Sequence, residues 1–123
     1  MAKMSPEVQK AVAECNPGFI ATASKAGKPN VSAKGSLQVL DDEHLLFADV
    51  RSPGTIANLK ENSQIAIFCF DPATRSGCRI SGRAELFDNG PLFDKLSEAF
   101  AARNMQVKHA VKIAVDNSSA FKM

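Results

Sequence analysis

The segment "DVRSPGTIANLKEN", residues 49–62, carries the chain out of a hydrophobic strand and into a helix, and the fold prediction starts from this transition. Ser52 stands where a helix N-cap is expected, and Pro53 falls at the first helical position, where its missing N–H costs nothing. Gly54 and Thr55 follow, and their backbone N–H groups have no acceptor in the first turn. The segment therefore predicts a short helix with an open N-terminus.

An open helix N-terminus can also bind an anion, because it carries a partial positive charge and free N–H donors. The Ser52 and Thr55 hydroxyls would add donors, and Arg51 could add a bidentate ionic contact. Gly54 would let an anion approach the backbone, and Asn58 lies one turn further along the same helical face. Ordinary helix capping with a solvated Arg51 explains the same residues, so both interpretations stay open at this point.

A second basic group is expected beside this helix from "VSAKGS", residues 31–36. Here Ser32, Lys34 and Ser36 interrupt a strand with small and basic side chains. If this strand faces the helix N-terminus, Lys34 would help to neutralise a dianion. This placement strengthens the anion interpretation.

Six segments have the composition and patterning of strands, and few residues remain for helices. "VSAKGSLQVL" is taken as one strand, "QIAIFCFD" as a central strand buried on both faces, and the residues after 116 as a short polar tail. Helices are predicted after Ser5 and Gly90. The sequence indicates one domain over residues 1–123, a mainly β fold with a six-stranded antiparallel barrel and peripheral helices. The strands are 19–24, 31–40, 44–50, 64–71, 78–87 and 109–116.

Composition excludes several function classes. The 123 residues hold 15 Lys and Arg against 13 Asp and Glu, a net charge of +2, with no basic run and no Trp or Tyr for base stacking. No window approaches the roughly 20 apolar residues of a membrane span, and the N-terminus lacks a signal-peptide core. We expect a cytoplasmic protein without a nucleic-acid or membrane partner.

Catalytic and metal signatures are missing from the sequence. Cys15, Cys69 and Cys78 lack metal-ligand spacing and are expected to be buried, reduced thiols. His44 and His109 each begin an apolar strand, and without an evident acid or thiol partner they do not indicate a nucleophilic triad. No catalytic residue and no metal site are therefore assigned.

Arg79 and Arg83 lie four residues apart on the polar face of one predicted strand, with Gly82 between them. Both side chains should point to the same side. A subunit interface or ligand wall would explain the pair, and so would plain solvent exposure.

Taken in order, "FIATASKAGKPNVSAKGSLQVL", "HLLFADVRSPGTIANLKENSQIAIFCF" and "GCRISGRAELFDNGPLFDKL" resemble the FMN-binding split-barrel family typified by pyridoxamine 5'-phosphate oxidase. The length is closer to the small single-domain FMN-binding proteins of that family. The resemblance implies a six-stranded split β-barrel that forms a homodimer, with one FMN in each of two interface grooves.

The resemblance also implies a set of cofactor-binding residues. The phosphate would be held at the helix N-terminus with help from the neighbouring strand. The isoalloxazine would lie along the backbone of the preceding strand, and a segment of the partner subunit before the last strand would cover it through Met105 or Val107, since no aromatic residue stands near Met105. With Asn58 from the helix face, the set is Ser32, Lys34, Ala48, Asp49, Val50, Arg51, Ser52, Gly54, Thr55, Asn58, Met105 and Gln106.

Two departures from the family pattern limit the function that the resemblance implies. Pro53 and Gly54 stand where many relatives have a Lys, so phosphate binding would depend on Arg51 and backbone amides. The C-terminal extension that holds pyridoxal phosphate in the vitamin B6 oxidases is missing, so that activity is not predicted. The resemblance implies an FMN-dependent oxidoreductase acting on a small molecule, with Lys34 or Arg79 near flavin N1. The alternatives are a non-enzymatic electron carrier or flavin-binding partner of a redox protein, and the same barrel with F420 or haem.

Overall fold

Seven strands and three helices make up the computed structural model, which describes residues 2–123. In chain order they are α1 (Pro6–Glu14), β1 (Gly18–Ala23), β2 (Pro29–Lys34), β3 (Gln38–Asp41), β4 (His44–Asp49), α2 (Pro53–Glu61), β5 (Gln64–Asp71), β6 (Ser76–Phe87), α3 (Pro91–Ala101) and β7 (His109–Lys122). The strands form one antiparallel sheet in the order β2-β1-β5-β6-β7-β4-β3. The mainly β prediction with peripheral helices is confirmed.

The predicted count of six strands is wrong, because the segment 31–40 is two strands. β2 ends at Lys34 and β3 begins at Gln38, and these two consecutive strands lie at opposite edges of the sheet. The three residues between them, 35–37, must therefore cross from one edge to the other, which curls the sheet into a barrel. The Gly35-Ser36 break is too short to separate two strands on sequence pattern alone.

The barrel interior is the main hydrophobic core. Phe47, Leu45, Ile20 and Ile113 are completely buried there. Helix α1 contributes Val8 and Val12 to this core, and α2 contributes Ile56 and Leu59. A second, smaller core lies outside the barrel under α3 and contains Leu46, Ala48, Leu96, Val107 and Ala110. Strand β4 is thus buried on both faces, and so is the start of β7 at Ala110 and Val111.

The strand predicted to be buried on both faces, β5, is buried on one only. Ile65, Ile67 and Cys69 point into the barrel, whereas Ala66 and Phe68 point outward and are exposed. With Phe19 and Val31 from the neighbouring strands, Ala66 and Phe68 form an exposed surface that we call the apolar face. It lines a groove of about 500 Å³ on the outside of the sheet. β5 is apolar on both faces, as the sequence shows, but an apolar pattern does not reveal what covers the second face.

Strand β7 runs to Lys122, so the predicted polar tail after residue 116 is wrong. Its last residues pair with the first half of β6, from Ser76 onward. A register shift between Ser81 and Gly82 lets the two strands continue, and a side chain at Gly82 would bring its Cβ to 2.3 Å from the Ala114 carbonyl oxygen. The backbone N–H and C=O groups of β6 need partners, and the segment after residue 116 supplies them although its side chains are polar.

The predicted helix starts and cysteine states agree with the structure. Ser5 caps α1, its hydroxyl accepting a hydrogen bond of 3.2 Å from the Val8 N–H, and α3 begins directly after Gly90. Cys15, Cys69 and Cys78 are free and buried, and burial is the main cause that raises the pKa of Cys15. Within residues 2–123, no helix combines the length and apolar character needed to cross a bilayer.

Candidate functional site

Helix α2 presents its N-terminus as predicted, beginning at Pro53 directly after β4. The Ile56 N–H donates to the Ser52 carbonyl at 3.0 Å, which is the first hydrogen bond of the helix. The Gly54 and Thr55 N–H groups precede it and have no intrahelical acceptor. Ser52 occupies the N-cap position, but its hydroxyl does not cap the helix. The donors available at this helix end are therefore backbone amides.

The Ser52 hydroxyl instead accepts a hydrogen bond from the Lys34 ammonium group of β2. Lys34 is half-buried, and its Nζ lies 5.9 Å from the centroid of the Phe47 ring. Burial lowers the pKa of Lys34, and the nearby Asp49 carboxylate partly opposes that shift. The structure thus places the second basic group beside the helix N-terminus, as the sequence predicts.

Three of the predicted cofactor-binding side chains are engaged in hydrogen bonds inside the protein. The Thr55 hydroxyl lies 3.2 Å from the Asn30 amide nitrogen and 3.1 Å from the Ser32 hydroxyl, and Thr55 is only 1% exposed. The Asn58 amide donates to the Thr22 hydroxyl at 3.1 Å. These bonds fasten α2 to β1 and β2, so what Thr55 offers to a ligand is its backbone N–H.

A cavity of about 430 Å³ opens beside Lys34, within the size range of small-molecule sites. We call it the Lys34 cavity. Its wall carries three cationic side chains and no carboxylate, and it brings together five of the predicted site residues, Lys34, Ala48, Val50, Arg51 and Met105. Ser32, Asp49, Ser52, Gly54, Thr55 and Asn58 do not line it, and Gln106 borders a neighbouring cavity. The full lining is Asn16, Ala33, Lys34, Gly35, Ser36, Ala48, Val50, Arg51, Phe100, Arg103 and Met105.

Comparison with known proteins places this chain in a family. The family model described as "Pyridoxamine 5'-phosphate oxidase" matches residues 4–122, nearly the whole chain. The chain belongs to the pyridoxamine 5'-phosphate oxidase family. The archaeal relative "Uncharacterized protein MJ0282" of Methanocaldococcus jannaschii is 35% identical over 130 residues, covering 100% of this chain and 83% of the relative.

Solved structures agree with this family fold. HupZ of Group A Streptococcus superposes with a TM-score of 0.88 at 22% identity, covering 97% of this chain and 94% of HupZ. An FMN-binding protein from Syntrophomonas wolfei subsp. wolfei superposes with a TM-score of 0.82 at 14% identity, covering 95% of this chain and 85% of that protein. At these identities the likeness establishes the shared split-barrel fold.

Within this family fold, the Lys34 cavity contains side chains that sequence reasoning did not assign to the site. Phe100 supplies the aromatic side chain that the sequence seemed to lack near Met105. A turn after α3 joins the two residues, with the Met105 N–H donating to the Phe100 carbonyl at 3.0 Å. The Arg103 guanidinium lies 5.2 Å from the centroid of the Phe100 ring. Val107, in contrast, is buried under α3 and cannot cover a ligand.

Ser36 was noted in the sequence but not assigned a role, and the structure gives it one. Its hydroxyl accepts a hydrogen bond of 3.0 Å from the Ala48 N–H and so ties the β2–β3 crossing to β4. Ser36 therefore fixes the wall of the Lys34 cavity. No local sequence pattern identified Phe100 or Arg103 as site residues.

Asp49 and His109 form a pair that the sequence did not predict. They are direct partners in the antiparallel register of β4 and β7, and His109 Nδ1 lies 2.7 Å from Asp49 Oδ2. Because a carboxylate can only accept, the imidazole donates. The Asp49 side chain is 3% exposed, and among the atoms of residues 2–123 its Oδ1 has no hydrogen-bond partner. The backbone of Asp49 also accepts from the Lys108 N–H at 2.8 Å.

His44 also has an acidic partner, contrary to the prediction. Its Nδ1 lies 2.8 Å from Asp41 Oδ1 across the β3–β4 turn. The Glu43 backbone N–H, and after it the His44 side chain, lower the pKa of Asp41. This pair sits at an exposed turn and closes the hairpin.

Arg79 and Arg83 separate into two roles. Arg83 makes a bidentate pair with Asp116, at 3.1 Å from Nε to Oδ2 and 3.0 Å from Nη2 to Oδ1, on the exposed surface. Arg79 lies 4.8 Å from the centroid of the Phe121 ring, beside the groove of the apolar face. Within its own chain, Arg79 does not line the Lys34 cavity.

Proposed function

We propose that the protein binds FMN through the Lys34 cavity and the N-terminus of α2, and that it is an FMN-dependent oxidoreductase. The observation that carries the proposal is the charge of the cavity wall, where Lys34, Arg51 and Arg103 face a space with no carboxylate. Beside it, α2 presents free backbone amides. Membership of the pyridoxamine 5'-phosphate oxidase family and the shared fold with an FMN-binding protein support a flavin over other anions.

The residues present fit a flavin mononucleotide. Arg51 and Lys34 would bind the phosphate with the Gly54 and Thr55 N–H groups, and Ser52 would hold Lys34 in place. Thr55 would thus contribute its amide, while Ser32 and Asn58 would stabilise the helix that carries the site.

The flavin ring would lie along the backbone of Ala48, Asp49 and Val50, with Phe100 and Met105 as its apolar cover and Gln106 at its edge. Hydride or electron transfer would be the chemistry of the flavin itself, and the protein would bind and orient it.

The first test is a spectrum of the purified protein and a titration of the apoprotein. We expect flavin absorption near ~450 nm, or its recovery on addition of FMN, because the cofactor carries the chemistry. Parallel titrations with F420 and haemin address the two other cofactors found on this type of barrel. A protein that shows no flavin absorption and does not bind added FMN, but does bind haemin or F420, would disprove the FMN proposal.

A reductant screen separates an enzyme from an electron carrier. Steady NAD(P)H oxidation with an added small-molecule acceptor would support the oxidoreductase. Reduction only by ferredoxin-like protein donors would identify an electron carrier with a redox partner protein. Both outcomes use the same flavin site, so this screen does not test the residues assigned to it.

We also propose that the protein is a homodimer joined through the apolar face. Phe19, Val31 and Phe68 are 42%, 65% and 38% exposed, and they adjoin one another across β1, β2 and β5. Contiguous apolar surface of this kind is typical of a protein interface. A second copy of the same face would also explain why β5 is apolar on both sides.

Val31→Glu is expected to convert a dimer into a monomer, because it puts a charge on the apolar face while leaving the barrel core untouched. Size-exclusion chromatography with light scattering measures the change in mass. Ala57→Glu is the matched control, since Ala57 is exposed on α2 outside this face. A wild-type monomer, or a Val31→Glu dimer as stable as the control, would contradict the interface.

A further inference from the structure

The carboxylate of Asp49 is an anomaly in the structure. Its residue is 2% exposed, one oxygen accepts from His109, and the other has no partner among the described residues. A buried acceptor without a donor is costly, and native structures rarely keep one without a function. The unpartnered oxygen therefore calls for a positive charge or donor nearby.

Lys34 is a positive charge in the same neighbourhood. Its ammonium group bonds to Ser52, three residues after Asp49, and lies 5.9 Å from the ring centroid of Phe47, which is two residues before Asp49 on the same face of β4. Burial lowers the pKa of Lys34, and the Asp49 carboxylate is the group that opposes this shift. A half-buried ammonium needs such a partner, since desolvation favours the neutral amine.

The other charged groups near this pair are cations. His109 on β7 holds the carboxylate, Arg51 precedes α2 and is exposed, and Arg103 lies on the far wall of the Lys34 cavity. Asp49 is thus the one carboxylate placed to balance Lys34, within the part of the chain that the structure describes.

We propose that Asp49, oriented by His109, is a positioning residue that supplies the buried counter-charge for Lys34 and keeps its ammonium group directed at the ligand phosphate. This inference rests on the proposed function, because the phosphate is that of FMN. His109 takes one carboxylate oxygen, and the other has no hydrogen-bond partner among the described residues. The pair acts on the phosphate through Lys34.

The first experiment follows Lys34 in the apoprotein, without any cofactor. Labelling with an amine-reactive succinimidyl ester across pH 7–10, quantified by peptide mass spectrometry, gives the titration midpoint of each lysine. In Asp49→Asn we expect the midpoint of Lys34 to fall by about one pH unit, since an opposite charge is lost. Lys60 and Lys95, both exposed, serve as internal standards and should not move.

The second experiment compares FMN with riboflavin across pH 7–9.5. In the wild type, the affinity for FMN relative to riboflavin should fall as Lys34 loses its proton. In Asp49→Asn this fall should begin at lower pH. At pH 8.5 we expect FMN to bind about fivefold to tenfold more weakly in the variant, with riboflavin unchanged. A carboxylate that merely repelled the phosphate would give the opposite sign, so tighter FMN binding in Asp49→Asn would overturn the proposal.

His109 provides an independent arm if Asp49→Asn does not fold. His109→Phe removes the donor and should lower the titration midpoint of Lys34 as Asp49→Asn does. His109→Gln keeps a donor, so its Lys34 midpoint should stay close to that of the wild type. An unchanged Lys34 midpoint in folded Asp49→Asn or His109→Phe protein would refute the positioning role. If wild-type protein binds no FMN, the proposed function fails, and the labelling experiment still decides whether Asp49 balances Lys34.

Discussion

Removing the two cations Lys34 and Arg51 together, as Lys34→Met and Arg51→Gln, is expected to weaken FMN binding by about 3 to 6 kcal/mol. The two charge-assisted contacts to the phosphate are worth about 1.5 to 3 kcal/mol each. The loss corresponds to roughly two to four orders of magnitude in Kd. Met keeps an apolar side chain of similar length next to Phe47, whose ring centroid lies 5.9 Å from the Lys34 Nζ, so the barrel core should be preserved. Quenching of flavin fluorescence on titration into apoprotein measures the change.

Riboflavin is the decisive control, because it lacks the phosphate and should bind the double variant almost as well as the wild type. Lys60→Gln with Lys95→Gln removes the same net charge at exposed positions away from the Lys34 cavity and should leave FMN affinity unchanged. Equal weakening of both ligands would mean that the phosphate binds elsewhere. Thr55→Ala is a poorer probe, since the Thr55 hydroxyl is bonded to Asn30 and Ser32 and its loss would loosen α2.

Phe47→Ala is expected to lower the free energy of unfolding by about 3 to 5 kcal/mol, the usual cost of emptying a large aromatic site in a core. Phe47 is completely buried in the barrel interior, on a strand that is packed on both faces, so its surroundings have little freedom to collapse into the space. Urea denaturation followed by circular dichroism measures the loss. Against a typical total of about 5 to 15 kcal/mol, the variant would be marginally stable.

Phe47→Leu is the matched variant for this prediction. It keeps most of the volume and should cost about 1.5 kcal/mol or less, as volume-conserving core changes do. The difference between the two variants then reports the cavity rather than the loss of the aromatic ring. A loss below about 1 kcal/mol for Phe47→Ala would show that the barrel interior repacks around the site.

The sequence predicted α2 and its partner Lys34 because both depend on local chemistry. Pro53 and Gly54 set the helix start, and a lysine among small residues in a strand stands out. The division of 31–40 into two strands was missed because the crossing is only three residues long. The second face of β5 was wrongly assigned to the core. An apolar pattern indicates that a face is covered, but it does not distinguish cover by the same chain from cover by a partner chain.

The missing parts of the candidate site depend on tertiary geometry. Asp49 and His109 are 60 residues apart and meet only because of the register of β4 and β7. Phe100 and Arg103 reach the Lys34 cavity through the turn after α3. The direction in which the Thr55 hydroxyl points could not be predicted either, since inward bonding to β2 and outward binding of an anion need the same residue type.

The burial of β4 on both faces has a consequence for the motions of the site. Strands between two cores exchange their amide hydrogens only through large opening events, whereas edge strands with one neighbour open locally at low cost. β4 forms the floor of the Lys34 cavity, and β2, which carries Lys34, is an edge strand joined to the next by residues 35–37. We therefore expect the amides of β4 to exchange slowly and those of β2 to exchange faster, so that local opening of β2 could admit a ligand while the barrel stays folded.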